Sequence, residues 1–217
     1  MYIIDESYFI KELTIPTDNN IDVAGTSTPF EAYIDQEARL LLQSLLGSSF
    51  GELDAHVVSG LYVTNGSVWD AFVLGTNYTK NGKTYIWKGL IYEEGVFLGS
   101  LMAYWVYSKW LEFQLSQQTG MGEAKGNAIN SMGINATHRY VSIWNKFITM
   151  YQGDITDTDS TLTIINGVPF VDYFGGDEGQ TYVSCVKFLK DNIDDYRGKN
   201  GEIPPLKLYE AKNTLGI

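Results

Sequence analysis

The sequence predicts an α+β fold: a mainly helical bundle carrying an inserted β-hairpin or meander and a second small hairpin. Three observations carry that expectation. Segments 28–46, 92–117 and 136–152 repeat apolar residues at helical spacing. Asn-Gly dipeptides at Asn65-Gly66, Asn81-Gly82 and Asn166-Gly167 stand between strand-forming residues, and both residues of that pair tolerate the positive φ of a tight hairpin turn. The 217 residues are 44% apolar and 19% charged, which suits one packed domain.

Residues 1–27 are mixed and turn-rich. In "TPFEAYIDQEARLLLQSLLG", Thr28 and Glu31 have capping-box spacing and Pro29 sits where a first helical residue tolerates proline. Phe30, Ile34, Ala38, Leu41, Leu42 and Leu45 share one face. Gly47 supplies a stop, and Ser48 or Ser49 starts a short second helix to about Val58. Residues 60–91 change period and read as a meander, with "GLYV" and "SVWDAFVL" as strands about Asn65-Gly66 and a second hairpin about Asn81-Gly82.

Residues 92–117 read as one long helix. Phe97, Leu101, Tyr104, Trp105, Leu111 and Leu115 line one face; Met102, Val106, Trp110 and Phe113 lie opposite. A helix apolar nearly all round is buried on more than one side, and a neighbouring subunit is expected to supply part of its cover. Glu93 and Glu94 fall in its first turn, where the helix dipole favours anions. The next helix, 136–152, has Tyr140, Trp144, Phe147, Ile148 and Tyr151 on one side. A third hairpin signal follows about Asn166-Gly167, with Pro169 restricting its second strand to an edge. A last helix covers about 180–195, and the tail runs extended until it docks.

Chemistry-bearing motifs are sparse. "SQQTGMGEAKGNAIN", residues 116–130, holds Gly120, Gly122 and Gly126 but follows a helix rather than a strand. It also lacks the Lys-Ser or Lys-Thr end of a phosphate loop, so it reads as an interhelical arm. His56 and His138 have no ligand-spaced partner. Cys185, the only cysteine, lies on the apolar side of its helix as a small core residue. "DITDTDST" does not fit a calcium loop, and the adjacent pairs Glu93-Glu94 and Asp194-Asp195 do not converge on one substrate. No catalytic constellation, cofactor site or metal site is expected.

Net charge is −11, which opposes nucleic-acid binding through phosphate neutralisation. Residues 1–60 carry ten acids against two bases, residues 151–217 eleven against six, while 61–150 are nearly balanced and hold all five tryptophans. The N-terminal run is no signal peptide. The longest uncharged apolar run, 95–108, is shorter than the roughly 20 residues of a membrane span. A charge-poor, aromatic-rich middle reads as core plus contact surface. The expected subunit interface is therefore Trp69, Tyr85, Trp87, Trp105 and Trp110 together with Thr119, Gly120, Gly122 and Gly126 of the arm.

The order of motifs adds a resemblance. "PFEAYIDQEARLLLQSLLGSSFGEL" is an acidic-start helix ending in Leu-Leu-Gly. "LMAYWVYSKWLEFQLSQQTGMGEAKGNAIN" is an aromatic helix running into a Gln-Thr-x-x-Gly loop. "HRYVSIWNKF", "VKFLKDNIDDY" and the final "NTLGI" follow. Together these resemble head–tail connector (adaptor) proteins of tailed bacteriophages and prophages, especially the Bacteroidetes and crAss-like type, over most of 28–152 and 180–217. The resemblance implies one connector domain over 1–217, with 60–91 as a hairpin insertion, 118–135 as interhelical arm and 200–217 as extended C-terminal tail. It implies a homo-oligomeric ring of about twelve copies beneath the portal protein, joining it to further tail or ring proteins. DNA passes through the channel without specific binding. The expected place is the virion's portal vertex after assembly in the host cytoplasm, with no membrane contact, cofactor or enzymatic activity. The alternative is a monomeric binding module stacking a carbohydrate on Trp69 with Phe72, or Tyr85 with Trp87. An enzyme whose carboxylates meet only in the fold comes third.

Overall fold

The computed structural model describes residues 2–15, 22–23, 26–27, 30–94, 97–115, 117–119, 122–124, 136–153 and 182–212. The fold is α+β and mostly helical, with small two-stranded antiparallel pairs between the helices. Asp22–Val23 (β1) pairs with Thr26–Ser27 (β2) before the first helix, Phe30–Leu46 (α1). Every residue assigned to its inner face is buried. Gly47 ends it with φ +57°, as a left-handed stop requires. Thr28 and Pro29 of the expected cap lie outside the described residues.

The expected second helix is shorter than 48–58. A 3₁₀ turn over Gly47–Ser49 leads into Phe50–Asp54 (α2). Val57–Val58 (β3) then pairs with Leu61–Tyr62 (β4) about a Ser59-Gly60 turn, in which both residues have positive φ. The first expected Asn-Gly hairpin is absent: Val68–Leu74 is a helix (α3), not a strand. The reason is local. The Asp70 carboxylate gathers the amides of Gly66 and Asn65 and the Tyr62 hydroxyl, so Asn65-Gly66 becomes the entry loop of a helix. The second Asn-Gly hairpin forms as read: Thr76–Lys80 (β5) pairs with Lys83–Trp87 (β6), with Asn81 at φ +52° and Gly82 at φ +76°.

The long helix is also corrected. Residues 91–100 form a strand pair, Ile91–Glu94 (β7) with Phe97–Ser100 (β8), and the helix is Leu101–Leu115 (α4). Glu93 therefore lies in a strand and accepts the Tyr8 hydroxyl at 2.9 Å, and Glu94 is likewise on β7 rather than in a first helical turn. The helix starts late because Ser100 caps it. Its Oγ accepts the Met102 amide at 3.0 Å and donates to the Leu90 carbonyl at 2.7 Å. The arm contains its own short antiparallel pair, Gln117–Thr119 (β9) with Gly122–Ala124 (β10). Ala136–Gln152 (α5) runs as expected. The last helix shrinks to Cys185–Asp191 (α6), because Ser184 caps it by accepting the Lys187 amide, and a 3₁₀ turn over Ile193–Tyr196 follows. The hairpin signal at Asn166-Gly167, Pro169 and the acidic run from Asp154 lie outside the described residues.

Two aromatic clusters organise the core. In the first, α4 lies between α1 and α5. The Trp105 ring sits 5.2 Å from Phe147 and 5.8 Å from Trp144, and its indole N–H donates to the Glu37 carbonyl of α1. Residues 101–108 are all buried, so this chain itself covers the first two turns of α4 on every side. The cover comes from α1, α5, the N-terminal segment and the C-terminal tail, and does not need a neighbouring subunit. In the second cluster, Phe72 of α3, Trp87 of β6 and Phe188 of α6 stack nearly parallel, and Trp69, Tyr78 and Tyr196 meet them edge-on or tilted. Among the described residues no helix is long and apolar enough to cross a membrane.

Candidate functional site

The aromatic residues expected at an interface are mostly spent within the chain. Trp69, Tyr85, Trp87 and Trp105 are buried, and Trp110 is half-buried. Trp87 donates its indole N–H to the Phe72 carbonyl at 2.8 Å, and Tyr78 donates its hydroxyl to Asp191. Those bonds fasten the β5–β6 hairpin to α3 and α6, and the Val183 amide adds a bond to the Ile86 carbonyl. Rings buried this deeply leave almost no face for a sugar or a neighbouring copy. Of the arm residues, Thr119 and Gly122 are cross-strand partners in the β9–β10 pair, while Gly120 and Gly126 lie outside the described residues. The structure therefore brings Trp69, Tyr85 and Trp87 together but as core, and keeps Trp105 in the other cluster.

What the surface does present is aliphatic. The outward face of the β3–β4 hairpin carries Val58 and Leu61, direct cross-strand partners, with Val63 two residues further along. They are 59%, 58% and 48% exposed. Alternation turns Val57 and Tyr62 inward, where they pack on the core. A solvated outer face is ordinarily polar; this one is apolar, and exposed Val68 opens α3 nearby.

The hairpin is held firmly. Its ladder extends to His56, whose carbonyl accepts the Val63 amide at 2.8 Å, while the Ile3 amide bonds the Gly60 carbonyl at the turn. The His56 ring meets the Asn65 side-chain amide at 2.8 Å. The Tyr62 hydroxyl donates to Asp70 at 2.6 Å. That bond, joined by the Gly66 and Asn65 amides, lowers the Asp70 carboxyl below its usual range against the opposing pull of partial desolvation. Two short strands alone are marginal; anchors on α3 and the N-terminal segment fix this pair as a presenting element.

Sequence reasoning missed this surface. The signal was there in "VVSGLYV": Ser-Gly is itself a turn dipeptide between two short apolar runs. Elsewhere, a cleft of about 340 Å³ is lined by Leu74, Ile91, Tyr92 and Glu93. Among the described residues no group of three or more His, Cys, Asp or Glu is placed to hold a metal ion. Cys185 is fully buried, and burial pushes its thiol well above the ordinary value, so it is a core residue rather than a nucleophile. Asp194 and Asp195 are exposed on the 3₁₀ turn. The Tyr107 and Tyr140 hydroxyls and the Trp110 indole N–H are buried with no partner among the described residues. They sit on the helices that flank the arm. No family model, curated protein or solved structure matches the chain.

Proposed function

We propose that the chain is a structural subunit of a connector ring at a phage portal vertex, assembling through surfaces that include the outer face of the β3–β4 hairpin. The observation that carries this reading is the rigidly mounted aliphatic face of Val58, Leu61 and Val63. A ring needs heterologous contact, in which one patch of each copy meets a different patch of the next. A fixed apolar projection suits that role, and exposed Leu40, Phe113, Ile203 and Leu208 are apolar residues elsewhere on the surface. The order of motifs described above supplies the identity of the ring, and the net charge of −11 fits a channel along which DNA slides without binding.

The expected partners are further copies of the chain, the portal protein and tail or ring proteins. The carbohydrate-binding alternative has less support, because Trp69, Phe72, Tyr85 and Trp87 are buried. Mass photometry of the purified chain, alone and with a portal assembly, tests the proposal. Multimers or a portal-bound complex are expected. A chain that stays monomeric at all concentrations and ignores the portal contradicts it.

A further inference from the structure

The C-terminal segment 205–212 has no regular secondary structure, yet the helices grip it closely. The Leu206 amide bonds the Leu45 carbonyl at 3.1 Å. Tyr151 donates its hydroxyl to the Lys207 carbonyl at 2.7 Å. Gln152 binds Tyr209 reciprocally: its Oε1 accepts the amide at 2.9 Å and its Nε2 donates to the carbonyl at 2.7 Å. Asn145 does the same to Lys212, at 2.9 and 2.8 Å. Between them the Trp144 indole N–H donates to the Glu210 carbonyl. These side chains read backbone, as a sheet edge reads an added strand.

One side chain anchors the strap. The Tyr209 ring lies 5.2 Å from Trp105, 5.5 Å from Tyr151 and 5.9 Å from Trp144, and its hydroxyl meets Ser44 at 2.9 Å. The groove between α1 and α5 is thus a complete peptide-strand site, built wholly by residues outside the strap.

The strap's connection to the body is unlike its seat. Among the described residues Tyr196 is the last before it to hydrogen-bond a distant part of the body, with its hydroxyl on the Val68 carbonyl and its own carbonyl accepting from Ser49. Among the described residues the hydrogen bonds from 197–204 are local, Gly198 to Glu202, Gly201 to Gly198, and Arg197 to Gly201 and Asp194, although Gly198 packs on Ser48 and Pro204 is buried. Pro204 and Pro205 follow, and Leu206 enters the groove at φ +45°. A left-handed φ strains any residue with a Cβ and is rare for a branched apolar one. The strain falls where the connection meets the strap.

We propose that the strap is exchanged between copies: in the assembled ring, residues 205–212 of one chain occupy the α1–α5 groove of the next. This rests on the ring reading and names an interface for it. Every groove contact is kept in the exchange, so no binding free energy is forfeited, while the Leu206 bend is no longer needed. The eight-residue connection, 197–204, spans about 27 Å when fully extended, which is the reach available to a neighbouring copy.

Two single-cysteine variants test this, Asn145→Cys and Lys212→Cys, with buried Cys185 left in place. Mixed and allowed to assemble, they are oxidised and run on a non-reducing denaturing gel. The expected result is a disulfide dimer containing one chain of each variant, formed in the oligomeric fraction and absent from dilute monomer. The double variant closes within one chain when monomeric and links chains when assembled. An oligomer in which the double variant closes only within chains overturns the exchange and leaves the ring reading standing. Failure to form any oligomer, with or without portal, overturns the ring reading and the exchange with it. Leu206→Gly, which relieves the bend, is expected to lower the interchain fraction several-fold at fixed concentration. An unchanged fraction shows that the bend does not drive the exchange and counts against it.

Discussion

The hairpins on either side of α3 are built alike and used oppositely. Each turns through two residues of positive φ, Ser59-Gly60 in the first and Asn81-Gly82 in the second. The β5–β6 hairpin turns Tyr85 and Trp87 into the core, where they meet α3 and α6. The β3–β4 hairpin turns Val57 and Tyr62 inward and leaves Val58 and Leu61 in water. Ring content marks the hairpin that holds the fold together, and the plain aliphatic hairpin is the one left over for a partner. Large rings bury more surface than valine or leucine, so a small domain spends them first on its own core.

Breaking the inner hairpin has the largest expected effect. Trp87→Ala removes the stack on Phe72 and Phe188 and the bond to the Phe72 carbonyl. It should cost about 3–5 kcal/mol, read from the urea midpoint. Next comes the close crossing that sets the hairpin beside α3. Gly75 and Gly89 have φ +90° and +93°; a Cβ on Gly75 would fall 2.6 Å from the Lys88 backbone, and one on Gly89 2.6 Å from the Val73 and Leu74 backbone at the end of α3. Gly89→Ala should cost roughly 2–3 kcal/mol through strain and displacement of Leu74. Full stability for that variant would contradict so close a crossing.

Acid has a smaller effect. Burial raises the Glu12 carboxyl, but hydrogen bonds from Lys146 and Tyr104 outweigh it and hold the group below its usual range. A carboxyl lowered in the folded state stabilises fully above the ordinary glutamate value of about 4.3, and that contribution disappears as pH falls through the lowered value. The pair is more than a third exposed on the carboxylate side, so Glu12→Gln should cost only about 0.5–1 kcal/mol at neutral pH. Asp70 follows the same sign. Asp70→Asn should speed amide exchange at Val63 and Gly66 while leaving the Trp87 cluster protected. The smallest effect on stability belongs to the outer hairpin. Leu61→Asp should change the unfolding free energy by less than about 0.5 kcal/mol, because Leu61 is exposed already.

The sequence showed the helices with clean periodicity and one of the turns. The inner faces of α1 and α5 fell where spacing put them, and Asn81-Gly82 made its hairpin. What it hid were competitions decided by single polar side chains. Asp70 turned Asn65-Gly66 into a helix entry, Ser100 delayed α4 by capping it, and Ser184 did the same for α6. The all-round apolar character of α4 was legible, but not its cause. The tail supplies Tyr209 and the N-terminal segment supplies Glu12, both far from α4 in sequence, and together with α1 and α5 they enclose it. The exposed face was obscured because "VVSGLYV" alternates over too few residues for either face to be told from the other.

Paired measurements on Leu61→Asp, of mass by mass photometry and of stability by urea, test the central claim most directly. The account predicts an unfolding midpoint like that of the unaltered chain and a loss of multimers or portal-bound complex. A variant that assembles as fully as the unaltered chain would contradict the placing of the interface on the β3–β4 hairpin.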